Sequence, residues 1–146
     1  MNIENTWNDP SQLLSVTGLT KAEADELLQD FSDEIQKSTS NRKNVNSERE
    51  GRPAKLDNRA LFLMLMIYFR HYPTLDIMSF MFEISTSNVK RWLDRCEETI
   101  RTVLAKKNFF HLIAQDQEKI SRKPLSETGK YILTELSNLY GDRRIK

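Results

Sequence analysis

Cysteine, glycine and proline are scarce in this chain of 146 residues. The single cysteine, Cys96, excludes an internal disulfide framework and a cysteine-rich zinc site. Because only 4 glycines and 4 prolines are present, helices are favoured over a many-turned β fold. The N-terminus lacks a secretory signal pattern, and the longest apolar run, residues 60–69, is too short to span a bilayer. We therefore expect a cytoplasmic, all-α protein built as a small helical bundle.

Charge is distributed unevenly along the chain. Residues 1–40 carry two lysines against eight acids, for a net charge of −6. Residues 41–107 carry thirteen Lys and Arg against eight acids, for a net charge of +5. An anionic partner would therefore bind the middle segment. Since an ordinary protein surface can carry the same charge, composition alone does not identify nucleic acid as that partner.

Apolar spacing and capping residues predict a series of helices. Thr20 and Glu23 have the spacing of a capping box, and Asp57 and Thr74 precede two further helices. Residues 38–55 lack an apolar period and are predicted to form a mobile loop. The predicted helices cover residues 11–16, 21–37, 58–72, 75–82, 86–106 and a C-terminal stretch that ends at Gly141.

Residues 75–95 have the layout of a helix-turn-helix, with a short helix, a turn and a longer helix. An apolar wedge between the two helices is needed to fix the angle between them. The predicted wedge consists of Met78, Phe82, Ile84, Val89 and Trp92.

Polar and basic residues stand at the start of the second helix of this motif. A helix N-terminus and its hydroxyl groups suit DNA phosphates, whereas Asn88 can bind adenine and Arg91 guanine through paired hydrogen bonds. The candidate DNA-binding residues here are Ser85, Thr86, Ser87, Asn88, Lys90, Arg91 and Arg95. An extended arm with Arg52 and Lys55 is a second candidate, directed at the minor groove.

An ordinary structural explanation exists for each of these features. Ser85 can be a simple helix cap, and residues 50–55 can be a charged loop. Lys90 with Asp94, and Glu97 with Arg101, have the spacing of ion pairs on a solvated helix face. A protein-interaction module, in which the long helix pairs with a partner or a second copy, therefore remains the alternative function.

Catalytic patterns are weak throughout the chain. Most acids fall on exposed helix faces, whereas two-metal catalysis needs carboxylates that converge from separate elements. His71 and His111 lack partners at metal-ligand spacing, and Cys96 lies on the apolar stripe of its helix, which indicates a core thiol. We expect no enzymatic activity, no metal site and no cofactor.

Three stretches carry a resemblance to a known family. They read TGLTKAEADELL, GRPAKLDNRALFLMLMIYFRHYPTL and FEISTSNVKRWLDR. Together they resemble the N-terminal helix-turn-helix region of bacterial insertion-sequence transposases of the DDE superfamily. In that family this region binds the terminal inverted repeats of the element, and a separate RNase-H-like domain cuts and joins DNA with two metal ions.

The resemblance implies a chain that binds double-stranded DNA at terminal inverted repeats and lacks the catalytic domain. We expect residues 1–107 to form the helical DNA-binding domain, and residues 108–146 a linker and terminal helix that lead toward that absent domain. A homodimer or a separately encoded catalytic part would be a further partner, and no membrane is involved. A truncated relic, one frame of a split transposase and a stand-alone repressor remain alternatives.

The sequence departs from the family pattern at Glu83. The turn of the family usually holds glycine or a similar residue at this position. A glutamate in the left-handed conformation would cost about 1 kcal/mol.

Overall fold

The computed structural model describes residues 1–43 and 56–106. Helices account for the regular structure of these residues, and no strand occurs among them. The helices are α1 (Ile3–Asn8), α2 (Pro10–Thr17), α3 (Lys21–Lys43), α4 (Asn58–His71), α5 (Leu75–Phe82) and α6 (Thr86–Leu104). The predicted all-α class is confirmed. No helix within the described ranges is long and apolar enough to cross a membrane.

Helix α4 is the centre of the bundle. Its side chains from residue 61 to residue 67 are all buried, and it contacts the other five helices of the described part. The ring of Phe62 packs edge-on against Trp7 and Phe31, with centroid separations of 6.1 Å and 5.6 Å. The apolar run of this helix is thus packed among the other helices, and α4 supports both α5 and α6.

Helix α1 was not predicted from the sequence. The helix has 6 residues, and only Ile3 and Trp7 among them are large and apolar. Two such residues are too few to show an apolar period. Its start is fixed by Asn2, whose side chain accepts a hydrogen bond from the Asn5 N–H at 3.0 Å. The helix inserts the Trp7 ring into the core, where it is 2% exposed.

Helix α3 is longer than predicted. The sequence predicted a helix over residues 21–37 and a loop over residues 38–55, but α3 continues through Lys43. Neither glycine nor proline occurs between residue 38 and Gly51. Ser, Thr and Asn each lower helix stability by less than about 1 kcal/mol, so nothing ends the helix at residue 37. The remainder of the predicted loop, and the predicted linker and terminal helix over residues 108–146, lie outside the described residues.

The predicted capping box at the start of α3 is confirmed. The N–H of Thr20 donates to the carboxylate of Glu23 at 2.8 Å, and the N–H of Glu23 donates back to the Thr20 hydroxyl at 3.5 Å. Each residue therefore satisfies a backbone donor that the helix leaves unpaired. The result is a sharply defined start for the acidic helix that packs along α6.

Candidate DNA-binding surface

Helices α5 and α6 form the predicted helix-turn-helix. Thr74 caps α5 by accepting a hydrogen bond from the Ile77 N–H at 3.3 Å. Ser85 caps α6 by accepting one from the Asn88 N–H at 3.3 Å. Both caps were predicted from the sequence, and both helix starts are confirmed.

The turn between the two helices is closed by Ser79. Its carbonyl accepts hydrogen bonds from the N–H groups of Glu83 and of Ile84, the latter at 3.3 Å. This is the bonding pattern by which helices end with a left-handed residue. The Ser79 hydroxyl also donates a hydrogen bond to the Ile84 carbonyl. Three hydrogen bonds to one residue therefore hold the chain reversal.

Glu83 adopts the left-handed conformation, which is costly for a residue other than glycine. Its φ is 54° and its ψ is 40°. A residue with a Cβ pays about 1 kcal/mol for this conformation, which glycine adopts freely. The turn thus forms in spite of its sequence, because the hydrogen bonds at Ser79 and the packing of α5 on α6 offset the strain.

The apolar wedge that holds α5 against α6 is present. Met78, Phe82 and Val89 are buried, as predicted. Ile84 and Trp92 are partly buried against the same core. The angle between the two helices is therefore set by packed side chains, and the outer face of α6 is held at a fixed orientation.

Seven of the predicted DNA-binding residues lie in the cap and first three turns of α6. Ser85, Ser87, Asn88, Lys90 and Arg91 are exposed, whereas Thr86 and Arg95 are partly buried. No acid stands in the first turn of the helix. The start of α6 thus presents hydroxyls, an amide and two cations to solvent.

The other two predicted contacts, Arg52 and Lys55, lie outside the described residues. They precede α4 by a few positions in the sequence. Their part in DNA binding stays a prediction.

The four basic residues of α6 have different surroundings. Lys90 lies 3.7 Å from Asp94 in an exposed pair. The Arg95 guanidinium stacks over the Trp92 ring, 5.3 Å from its centroid. Arg91 is exposed and has no ion pair with any described residue. Of these three cations, Arg91 is the one most available to a ligand.

The fourth cation, Arg101, is partly buried, and its partner Glu97 corrects one expectation. The sequence placed Glu97 and Arg101 on a solvated face, but Glu97 is only 6% exposed. Its carboxylate accepts a hydrogen bond from Arg101 at 2.9 Å. Spacing alone predicted the pair but not the direction of the Glu97 side chain, which depends on how α6 packs on α4.

Two carboxylates of α6 lie near the phenol of Tyr68 on α4. Burial raises the pKa of the Tyr68 phenol above its usual value, and the nearby carboxylates of Glu97 and Asp94 raise it further. The phenol on α4 therefore lies within the field of two acids on α6.

The acidic helix α3 contacts the far end of α6. Lys106, just after α6, forms an ion pair with Glu34, and this hydrogen bond raises the pKa of the lysine. Asp30, Asp33 and Lys37 line the same shallow groove, which has a volume of about 300 Å³. Asp30, Asp33 and Glu34 of α3 thus lie near the end of α6 that is away from the predicted DNA contacts.

Cys96 is a core thiol, as predicted. It is fully buried on the inner face of α6, and burial raises the pKa of the thiol to about 12. Such a thiol stays protonated at neutral pH and is a poor nucleophile. Within the described part of the chain, no three His, Cys, Asp or Glu side chains are grouped to hold a metal ion.

Comparison with known proteins bears on this same region. Residues 54–106 match the model of a family described as helix-turn-helix of DDE superfamily endonuclease. The resemblance stated from the sequence is confirmed for this segment. The match spans α4, α5 and α6 and indicates DNA binding by the helix-turn-helix. No curated protein and no solved structure matches the chain.

Sequence reasoning missed two features of this helix-turn-helix. Trp92 and Arg95 are three residues apart, a spacing at which helical side chains meet, and this could have indicated their stacking. The bond from the Ser79 hydroxyl to the Ile84 carbonyl left no signal in the sequence, because it depends on the left-handed turn at Glu83.

Proposed function

We propose that the chain binds double-stranded DNA in a sequence-specific manner through the start of α6. Its target would be the terminal inverted repeat of a mobile element. The observation that carries this proposal is the exposed group of Ser87, Asn88, Lys90 and Arg91 at the N-terminus of a helix whose packing on α5 is fixed. The family match over α4 to α6 supports the same role.

Each part of this group suits a different part of DNA. The N–H groups of Thr86 and Ser87 precede the first intrahelical bonds and can donate to phosphate oxygens. Asn88 and Arg91 can each form paired hydrogen bonds with a base edge in the major groove. Lys90 is a point charge suited to phosphate. Phosphate contacts would position the helix, and base contacts would select the sequence.

The role proposed for residues 54–106 is DNA binding. It is supported by a family match that consists of the helix-turn-helix. Arg52 and Lys55, shortly before α4, would add contacts in the minor groove.

The experiment that tests this function measures fluorescence anisotropy of the whole chain with two duplexes. One duplex carries the terminal repeat of the element that encodes the chain, and the other is a scrambled duplex of equal length. We expect tighter binding to the repeat, with affinity that falls as salt rises. Equal binding to both duplexes would reject sequence-specific binding, and binding to neither would reject the DNA-binding role.

A second candidate function is association with another copy of the chain. The outer face of α5 exposes Phe80 and Ile77, which are 85% and 50% accessible. These side chains lie one turn apart and face away from the core. Sedimentation of the chain with and without Phe80→Ser would test this candidate. A dimer that dissociates in the variant would support it, and a monomer in both cases would reject it.

A further inference from the structure

Asp94 stands where the basic start of α6 gives way to mixed charge. It is the first acid of the helix and follows Lys90 by one turn. Its carboxylate lies 3.7 Å from the Lys90 Nζ, and the two side chains are 56% and 65% exposed. The carboxylate is therefore accessible to solvent at the edge of the surface that is proposed to bind DNA.

We propose that Asp94 competes with DNA phosphate for Lys90, and that it thereby weakens binding to DNA of any sequence. This inference rests on the proposed DNA-binding function. The part of the affinity that is independent of sequence is mainly electrostatic. Because Asp94 lowers that part, base contacts supply a larger share of the total binding free energy.

The geometry confines this competition to Lys90. Arg91 forms no ion pair with any described residue, so its contact with a base is not opposed by Asp94. The next acid toward the core, Glu97, is buried and bound by Arg101 at 2.9 Å. Asp94 is therefore the carboxylate placed to hold Lys90 in the free chain.

The ion pair between Lys90 and Asp94 is weak enough for DNA phosphate to replace the carboxylate. An exposed ion pair contributes little to stability, so a phosphate can displace the carboxylate. The displaced carboxylate stays close to the bound strand, because it lies one helical turn from Lys90. Its charge then opposes the phosphate.

The chain contains a matched control for the charge of Asp94. Glu98 is an exposed acid one turn further along α6, and it forms no ion pair with Lys90. Glu98→Gln and Asp94→Asn remove the same charge with little change in shape. A difference in DNA affinity between the two variants therefore reports the contact with Lys90, because the change in net charge is the same in both.

The test compares the whole chain and its variants by fluorescence anisotropy across a salt series. The probes are a duplex enriched by the wild-type chain from a randomised pool and a scrambled duplex. We expect Asp94→Asn to tighten binding to both duplexes by about two- to fivefold, the effect of an exposed ion pair. The salt dependence should steepen by about one phosphate contact. In a Lys90→Ala background, the gain should fall to that of Glu98→Gln.

Several results would overturn the inference while leaving the proposed function intact. They are unchanged binding in Asp94→Asn, an equal gain in Glu98→Gln, and an undiminished gain in the Lys90→Ala background. Weaker binding to the enriched duplex alone would show instead that Asp94 accepts a hydrogen bond from a base such as cytosine. A wild-type chain that enriches no duplex and binds none would reject the proposed function, and the inference with it.

Discussion

The hydroxyl of Ser79 donates a hydrogen bond to the carbonyl of Ile84, across the turn that joins α5 to α6. The backbone carbonyl of Ser79 accepts from the Ile84 N–H in return, at 3.3 Å. The two residues thus close the turn through both side chain and main chain. The orientation of the proposed DNA-binding helix depends on this pair, although neither residue belongs to the exposed group at the start of α6.

Loss of the Ser79 hydroxyl should destabilise the fold. We expect Ser79→Ala to lower the free energy of unfolding by about 1 kcal/mol, because the partly buried Ile84 carbonyl loses a donor. Urea unfolding followed by circular dichroism measures the change. Ser87→Ala is the matched control, since Ser87 is exposed on the adjacent helix. Equal stability of the two variants would contradict the role assigned to Ser79.

Glycine at position 83 should relieve the strain of the left-handed turn. The comparison is between Glu83→Gly and Glu83→Ala, because both variants remove the side chain and only alanine keeps a Cβ. At a φ of 54°, we expect the glycine variant to be more stable by about 1 kcal/mol. Thermal and urea unfolding measure the difference. An alanine variant as stable as the glycine variant would show that the turn stores no strain.

Ionisation of Cys96 should make stability fall at high pH. Burial raises the pKa of this thiol from 9.0 to about 12, so the unfolded chain loses the proton at lower pH than the folded chain. The effect of this thiol on the free energy of unfolding is constant below about pH 9. As pH rises from about 9 to about 12, the unfolded chain is increasingly favoured and stability falls. Urea unfolding of the wild type and of Cys96→Ala at several pH values isolates this effect. A parallel pH dependence in the two proteins would contradict it.

Lys90 should contribute to binding of every DNA sequence. We expect Lys90→Ala to weaken binding to preferred and scrambled duplexes by similar factors, and to reduce the salt slope by about one. Anisotropy titrations at several salt concentrations measure both quantities. A loss confined to the preferred duplex would show that Lys90 contacts a base instead of phosphate.

Much of the helical framework could be predicted because the deciding signals are local. The run of apolar residues in α4 indicates burial on all sides, and the structure buries residues 61 to 67. Thr74 and Ser85 are each followed by a helix that they cap. Such signals involve residues within one turn of each other, so no knowledge of tertiary contacts was required to place α5 and α6.

The failures arise where tertiary contacts decide. Helix α1 has two large apolar residues and forms because Trp7 packs on Phe62 of α4. Glu97 is buried because its side of α6 packs against the bundle. The spacing of Glu97 and Arg101 predicts their ion pair but does not reveal which side of α6 is packed. The predicted end of α3 at residue 37 is too early for a different reason. Polar composition alone does not end a helix, and α3 continues to Lys43.

The most direct test of the account measures the specificity of Arg91→Ala. Affinities of the wild type and the variant are compared on the preferred duplex and on a scrambled one, at fixed salt. If Arg91 binds a base, the variant should lose about 1–3 kcal/mol on the preferred duplex and much less on the scrambled duplex. An unchanged preference for the first duplex over the second would contradict the claim that the start of α6 selects the DNA sequence.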